Sequence, residues 1–275
     1  MRVGYLGPAG TVSHEALLSA RGPFEPVPQP TLHDAVLAVH DGTIDRAFVP
    51  IENALEGSVK EPLDALVFET DDVVIVGELR HPVRFCLVAG GPLALADVTT
   101  VVSIPQAAGQ CARFLRAELP HARVVTAPST ADAVRQVADG LESAAALGTH
   151  QAAALYGCTI LRENVEDHPD NETRFVWLAR AGTEAGAGER FKTALVFWGA
   201  GSAGPGWLVR CLSEFARRDV NLTRIESRPL RQRLGEYMFF LDLEGALDDE
   251  RVAGAVAGLR SHADVVRVLG SFPAA

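Results

Sequence analysis

The residue pattern predicts an α/β protein: a mostly parallel, two-lobed βαβ region over residues 1–180, a linker at 181–190, and an α+β module over residues 191–275. Three observations carry this. Short apolar runs alternate with helical periods of roughly 8–15 residues up to residue 180, the rhythm of βαβ crossovers. The small, apolar-poor stretch 181–189 then interrupts that rhythm. After it the order is βαββαβ, the split βαβ or ferredoxin-like arrangement. A break near residue 80 and a return near 165 divide the first region into two lobes, with a cleft between them for a small ligand.

The first apolar run, 3–6, ends in the tight turn Gly7-Pro8-Ala9-Gly10-Thr11. Ser13 reads as the cap of a helix burying Ala16, Leu17 and Ala20. Backbone N–H groups at a glycine-rich helix start attract anions, but no Lys-Ser/Thr pair follows, so the turn is not a P-loop. Thr31 opens a second helix with Leu32, Ala35, Val36 and Val39 on one face, and Gly42 closes it. A strand at 47–50 runs into Ile51-Glu52-Asn53-Ala54-Leu55-Glu56-Gly57-Ser58, with Ser58 as the cap of the next helix. Polar side chains there stand at a strand end, where open α/β sheets bind ligands; Glu56 reads as a solvated carboxylate.

Strands follow at 73–79, 83–88 and 99–102. The last leads into Ser103, read as a cap, and one helix carrying Ala108, Cys111, Ala112, Leu115 and Leu119 until Pro120 stops it. Gln106 and Gln110 share a face of that helix and read as surface amides. Next come a strand at 123–126, a helix after Ser129-Thr130, a strand at 144–147 and a short helix after Thr149 that ends at Gly157. Asn171-Glu172-Thr173-Arg174-Phe175 enters an alternating strand through Val176, Trp177 and Leu178, placing a hydroxyl and a permanent cation where a rigid strand begins. Beyond the linker, strands at 193–198, 222–228, 237–243 and 265–269 enclose helices at 207–218 and 248–262.

Of the 275 residues, 48% are hydrophobic and 22% charged, the balance of a globular protein, and the net charge of -10 argues against a nucleic-acid surface. No signal-like or membrane-spanning stretch is present, so a cytoplasmic protein without a membrane partner is expected. Cys86, Cys111, Cys158 and Cys211 form no CxxC pair and read as free buried thiols. HExxH and GxSxG are absent and GxGxxG is missing from the turn after the first strand, so no metal and no cofactor is expected. Three stretches, 7–14, 50–58 and 171–175, share a small polar character; brought together they would make a pocket for an anionic small molecule.

Their wording carries a resemblance. Tyr5-Leu6-Gly7-Pro8-Ala9-Gly10-Thr11-Val12-Ser13-His14, Val49-Pro50-Ile51-Glu52-Asn53, Glu56-Gly57-Ser58-Val59 and Thr173-Arg174-Phe175 stand in the order found in prephenate dehydratases with a C-terminal ACT domain. Pro205-Gly206-Trp207-Leu208-Val209 and Asn221-Leu222-Thr223-Arg224-Ile225-Glu226-Ser227-Arg228-Pro229 resemble that family's two phenylalanine-binding regions. The resemblance spans essentially the whole chain. It implies a first region like a type II periplasmic binding protein and decarboxylating dehydration of prephenate to phenylpyruvate. It also implies a homo-oligomer, dimer or tetramer, with L-phenylalanine as effector between ACT domains.

Catalytic residues implied by the matching motifs are Thr173, Asn53, Ser103 and Gln110. Arg174, Glu52, Thr11, Gly10 and Ser58 are implied substrate-binding residues, with the N–H groups near Gly10 and Thr11 and the Arg174 guanidinium on carboxylate. Thr173 would donate to the leaving hydroxyl, with Glu52 or His14 as relays for its proton. The effector would meet Pro205, Gly206, Trp207, Leu208, Asn221, Leu222, Glu226, Ser227 and Arg228. Two positions depart from the pattern: Ile104 stands where histidine is frequent, and Trp207 where alanine is usual, so effector binding is expected to differ. Competing readings are an arogenate dehydratase and a non-catalytic amino-acid-sensing binding protein.

Overall fold

The computed structural model describes residues 1–20, 22–199, 201 and 204–275. Ala200, Ser202 and Ala203 of the glycine-rich loop 199–204 therefore lie outside the described residues. The first lobe runs β1 (Arg2–Leu6), α1 (Val12–Ser19), β2 (Glu25–Gln29), α2 (Leu32–His40), β3 (Arg46–Asn53), β4 (Gly57–Ser58), α3 (Lys60–Phe68) and β5 (Val73–Pro82). The second runs β6 (Cys86–Ala89), β7 (Thr100–Ser103), α4 (Pro105–Gln110), α5 (Ala112–Glu118), β8 (Arg123–Thr126), α6 (Thr130–Ala138), β9 (Ala144–Gly148), α7 (His150–Leu155) and β10 (Thr159–Arg162). β11 (Glu172–Arg180) returns, and the C-terminal module follows as β12 (Phe191–Trp198), α8 (Trp207–Ala216), β13 (Leu222–Pro229), β14 (Tyr237–Glu244), α9 (Glu250–Arg260) and β15 (Val265–Pro273).

By packing, the chain divides into one compact unit of Met1–Thr70 with Arg80–Phe175 and another of Asp71–Leu79 with Val176–Ala275. In the first unit β1 lies parallel to both β2 and β3, the start of β11 follows β3, and the two-residue β4 folds back on β3. The second lobe's sheet has the order β10-β6-β9-β7-β8, parallel across β9, β7 and β8 and antiparallel across β10, β6 and β9. Its central strands β6, β9 and β7 are buried on both faces, while the edge strands β10 and β8 are not. Ala145 and Leu147 pack with Ala107 and Cys111 on one side, while Ala144 and Ala146 pack with Val134 and Ala152 on the other.

Local chemistry explains most boundaries, and four differ from expectation. Thr31, Ser129 and Thr149 cap α2, α6 and α7 through their hydroxyls, as predicted. α1 is capped by Thr11 instead of Ser13, α3 begins after Val59 with no side-chain cap, and α4 follows Ile104. The single helix expected after Ser103 is two, α4 and α5, broken at Cys111; Gly109 weakens that turn by about 1 kcal/mol relative to alanine. β2, β4 and β10 have no counterpart in the sequence prediction.

In the second unit β13-β14-β12-β15 form one antiparallel sheet. α8 and α9 cover one face, burying Leu195, Phe197, Trp207, Cys211, Phe215, Leu241 and Leu259 together. β5 supplies Glu78, which meets Lys192 of β12 at 2.9 Å with side chains 0% and 9% exposed. Gly270 of β15 comes so near the Ile75 carbonyl that a Cβ there would collide with it.

Candidate active site

Phe48 on β3 and Phe175 on β11 are buried and stack with ring centroids 4.7 Å apart, fixing the start of β11 against β3. Beside this stack, side chains from distant segments meet. Asn53 Nδ2 donates to Thr173 Oγ1 and to Asn171 Oδ1, each at 2.9 Å, and to the Glu172 carbonyl at 3.2 Å. Asn53 Oδ1 accepts from the backbone N–H groups of Leu55 and Glu56, both at 2.9 Å, closing an Asx turn. Those two donors leave the Asn53 amide one orientation, with its NH₂ toward Thr173.

The network continues into the second lobe. Asn171 Nδ2 donates to Gln110 Oε1 at 3.0 Å, and Gln110 Nε2 donates to Glu56 Oε1 at 3.2 Å. The Gln110 carbonyl in turn accepts from Asp167 N at 2.6 Å, while the Asp167 carboxylate accepts from Arg113 N at the start of α5. Asn53, Gln110 and Thr173 are therefore brought together as expected. Gln110 is half-buried where a surface amide was expected, and Glu56 is exposed as expected but also accepts from Gln110. Asn171 is the further participant. Strand alternation puts residues two apart on one face, so its place two before Thr173 was the available signal.

The turn at the N-terminus corrects another expectation. Gly10 N donates to His14 Nδ1 at 3.1 Å and Thr11 N to the Pro8 carbonyl at 3.4 Å, so the N–H groups expected to hold a carboxylate face acceptors of their own turn. Thr11 Oγ1 donates to the Leu6 carbonyl and accepts from His14 N. Gly10 has φ +93°, which L side chains avoid, and a Cβ there would press on Ala152 of α7. The second lobe grips this turn: Thr149 Oγ1 donates to the Gly10 carbonyl at 3.2 Å and Tyr156 OH to the Ala9 carbonyl at 3.1 Å. His14 stacks on Tyr5, and burial holds its imidazole below the ordinary histidine range. Neutral, with Nδ1 committed as an acceptor, it is a poor proton relay.

Arg174 is 8% exposed, with Nη1 3.6 Å from Glu52 Oε2. Glu52 pairs across the β3–β4 ladder with Ser58, which lies in β4 and caps no helix. Ser103 ends β7, buried, with its hydroxyl donating to the Ile104 carbonyl at 2.9 Å.

In the C-terminal module, Trp207 fills the core. Its Nε1 donates to the His262 carbonyl at 2.7 Å and its ring faces Phe197 and Phe239, so the added bulk is absorbed inside the fold. Pro205 and Gly206 are exposed at the N-terminal end of α8, and Leu208 is half-buried. Asn221 and Leu222 line a hollow of about 570 Å³ with Leu212, Phe215, Ala216, Asp219 and Val220, beyond the other end of α8. That helix of ten residues separates the two groups by about 15 Å along its axis. On β13, Glu226 pairs with Arg224, Ser227 is exposed and Arg228 is half-buried.

A two-lobed α/β unit gathers amides, a hydroxyl and an arginine near one strand end, and a ferredoxin-like module follows it in the chain. A family profile described as prephenate dehydratase matches residues 3–183. The chain belongs to the prephenate dehydratase family. It is 40% identical over 283 aligned residues to a prephenate dehydratase of Mycobacterium tuberculosis, covering 99% of this chain and 87% of that one. It is 38% identical to the chloroplastic arogenate dehydratase/prephenate dehydratase 2 of Arabidopsis thaliana, covering 99% and 73%. A crystal structure of prephenate dehydratase from Arthrobacter aurescens in complex with L-Phe superimposes with TM-score 0.91 at 35% identity, covering 99% of this chain and 90% of the other.

Proposed function

We propose that this protein is a prephenate dehydratase whose reacting centre is Thr173 held by Asn53. The 2.9 Å bond from Asn53 Nδ2 to Thr173 Oγ1 is the observation that carries the reading. The prephenate dianion and one proton become phenylpyruvate, CO₂ and water. The bond from the ring to its carboxylate breaks, its electron pair enters the ring, and the C–OH bond breaks at the far carbon. Aromatisation drives the reaction, so the site must chiefly stabilise the departing hydroxide and anchor the substrate.

Thr173 accepts a hydrogen bond from Asn53, which leaves its own proton to be donated. Accepting that bond also strengthens the hydroxyl as a donor, because linked hydrogen bonds polarise one another. Arg174 is the anchor for a substrate carboxylate, shared with Glu52. Gln110 orients the ring, with Ser103, Ser58 and the Gly10–Thr11 turn in the surrounding shell. Four free cysteines suit a reducing, cytoplasmic setting. The test is conversion of prephenate to phenylpyruvate at neutral pH. Rapid turnover by the wild type and a large loss in Thr173→Ala are expected; equal rates in both would move the donor elsewhere.

The Arabidopsis relative carries both substrate names, so arogenate is the second reading, decided by parallel turnover of the two acids. The L-Phe bound to the Arthrobacter structure supports phenylalanine as the effector. One amino acid cannot span the two ends of α8, which favours a site completed by a second chain, dimer or tetramer. Sedimentation with and without phenylalanine, beside inhibition of turnover, tests both points.

A further inference from the structure

Asn171 is buried, with 1% of its surface exposed, although its side chain ends in a polar amide. Its two ends are used in opposite senses. Oδ1 accepts from Asn53 and Nδ2 donates to Gln110, so it joins amides carried by the two lobes. The donors then follow one direction, from Asn53 to Asn171 to Gln110, and end on the Glu56 carboxylate. A bond to a charged acceptor is roughly twice as strong as a neutral one, and linked bonds reinforce each other. Glu56 thus favours one setting of every amide in the row.

We infer that Asn171 is a positioning residue for the elimination, setting Asn53 and Gln110 so that Thr173 keeps its hydroxyl proton for the leaving group. The inference rests on the reading of function above and deepens it. Asn171 acts through its two neighbours, and the position requires a group that accepts on one side and donates on the other. An ionised carboxylate only accepts, whereas a protonated one does both. Asn171→Asp therefore has a pH signature. The Asp side chain breaks the row while ionised and restores it once protonated.

The charged and titratable groups around the row include Glu52 with Arg174 and Glu56 from β3 and its following loop, Asp167 on the loop holding Gln110, His168 and Asp170 just before Asn171, and the exposed Glu172. All are present in the wild type, so the readout is the variant-to-wild-type ratio. The full-length protein and its Asn171→Asp variant are assayed on prephenate from neutral pH downward. At neutral pH kcat should fall about 100-fold with KM little changed, and the ratio should rise on acidification. In a Thr173→Ala background, Asn171→Ala should cause no further loss.

A neutral kcat within about twofold of wild type, or a ratio flat in pH, overturns the inference. If Asn171→Asp does not fold, as judged by circular dichroism, Gln110→Glu reads the same row, since its carboxylate accepts from Asn171 but cannot donate to Glu56. Recovery on acidification is again expected, and a flat ratio again overturns the inference. A wild type that turns over no prephenate overturns the functional reading and the inference together; an active wild type with flat variant ratios overturns the inference alone.

Discussion

Asn53 uses both halves of its amide, one on the Leu55 and Glu56 backbone and the other on Thr173, Asn171 and Glu172. Asn53→Ala should therefore cut kcat by about 10²–10³-fold, the range for removing one well-placed donor; a loss confined to KM would instead make it a binding residue. His14 gives a second expectation. Burial lowers its pKa from the ordinary 6.5, so in the window below 6.5 the unfolded chain binds more protons than the folded one. Its contribution to stability is present in full above that window and is lost as pH falls through the lowered value. Protonation also removes the acceptor for Gly10 N. An NMR titration should show the Gly10 amide moving with a midpoint below 6.5; a midpoint at or above it would contradict the assignment. At this scale the sequence was readable wherever roles are local. Asn53, Thr173 and Arg174 announce themselves as types beside a strand end. Asn171 and Glu56 did not, because their roles depend on Gln110, whose position is set by a helix break and a distant loop.

Among the elements, helices with a hydroxyl cap were readable because the cap lies within three residues of the N–H that it serves. β2 was not, since Pro26 and Pro28 argue against a strand; it pairs only with β1, at a sheet edge, where prolines are tolerated. The break between α4 and α5 was hidden by an unbroken apolar spacing. β5 and β12 supply the clearest energetic expectation. Lys192→Met would leave Glu78 buried without its cation, at a cost of about 3–5 kcal/mol. Thermal or urea unfolding measures this, and a change below about 1 kcal/mol would place the pair among weak surface bridges. Thiol labelling tests the strands and helices that bury cysteine. Burial pushes Cys86 up to about 12 and Cys211 up to about 11, and raises Cys111 further. The half-buried Cys158 should react first in the native protein.

For the molecule as a whole, the alternation of strands and helices was enough to read two lobes and a βαββαβ module, because each rests on periodicity within a segment. The packing division was not readable. Residues 71–79 join the C-terminal unit although they precede it by the entire second lobe, and 176–180 belong to it before the linker begins. A fragment ending at residue 180 should therefore melt well below the full chain or aggregate. Equal melting of fragment and full chain would show that the packing of β5 against the module contributes little.

β11 carries Thr173 and Arg174 in its first half and belongs to the C-terminal unit in its second. The effector module is thus no cassette that recombination could exchange at the glycine-rich joint. A working chimera would have to bring two borrowed strand segments along with it, one of them spliced directly behind Thr173 and Arg174. Exchange of sensing specificity is then easier by substitution inside the module than by transplantation of it, and lineages of this enzyme should have inherited sensor and catalyst as one piece.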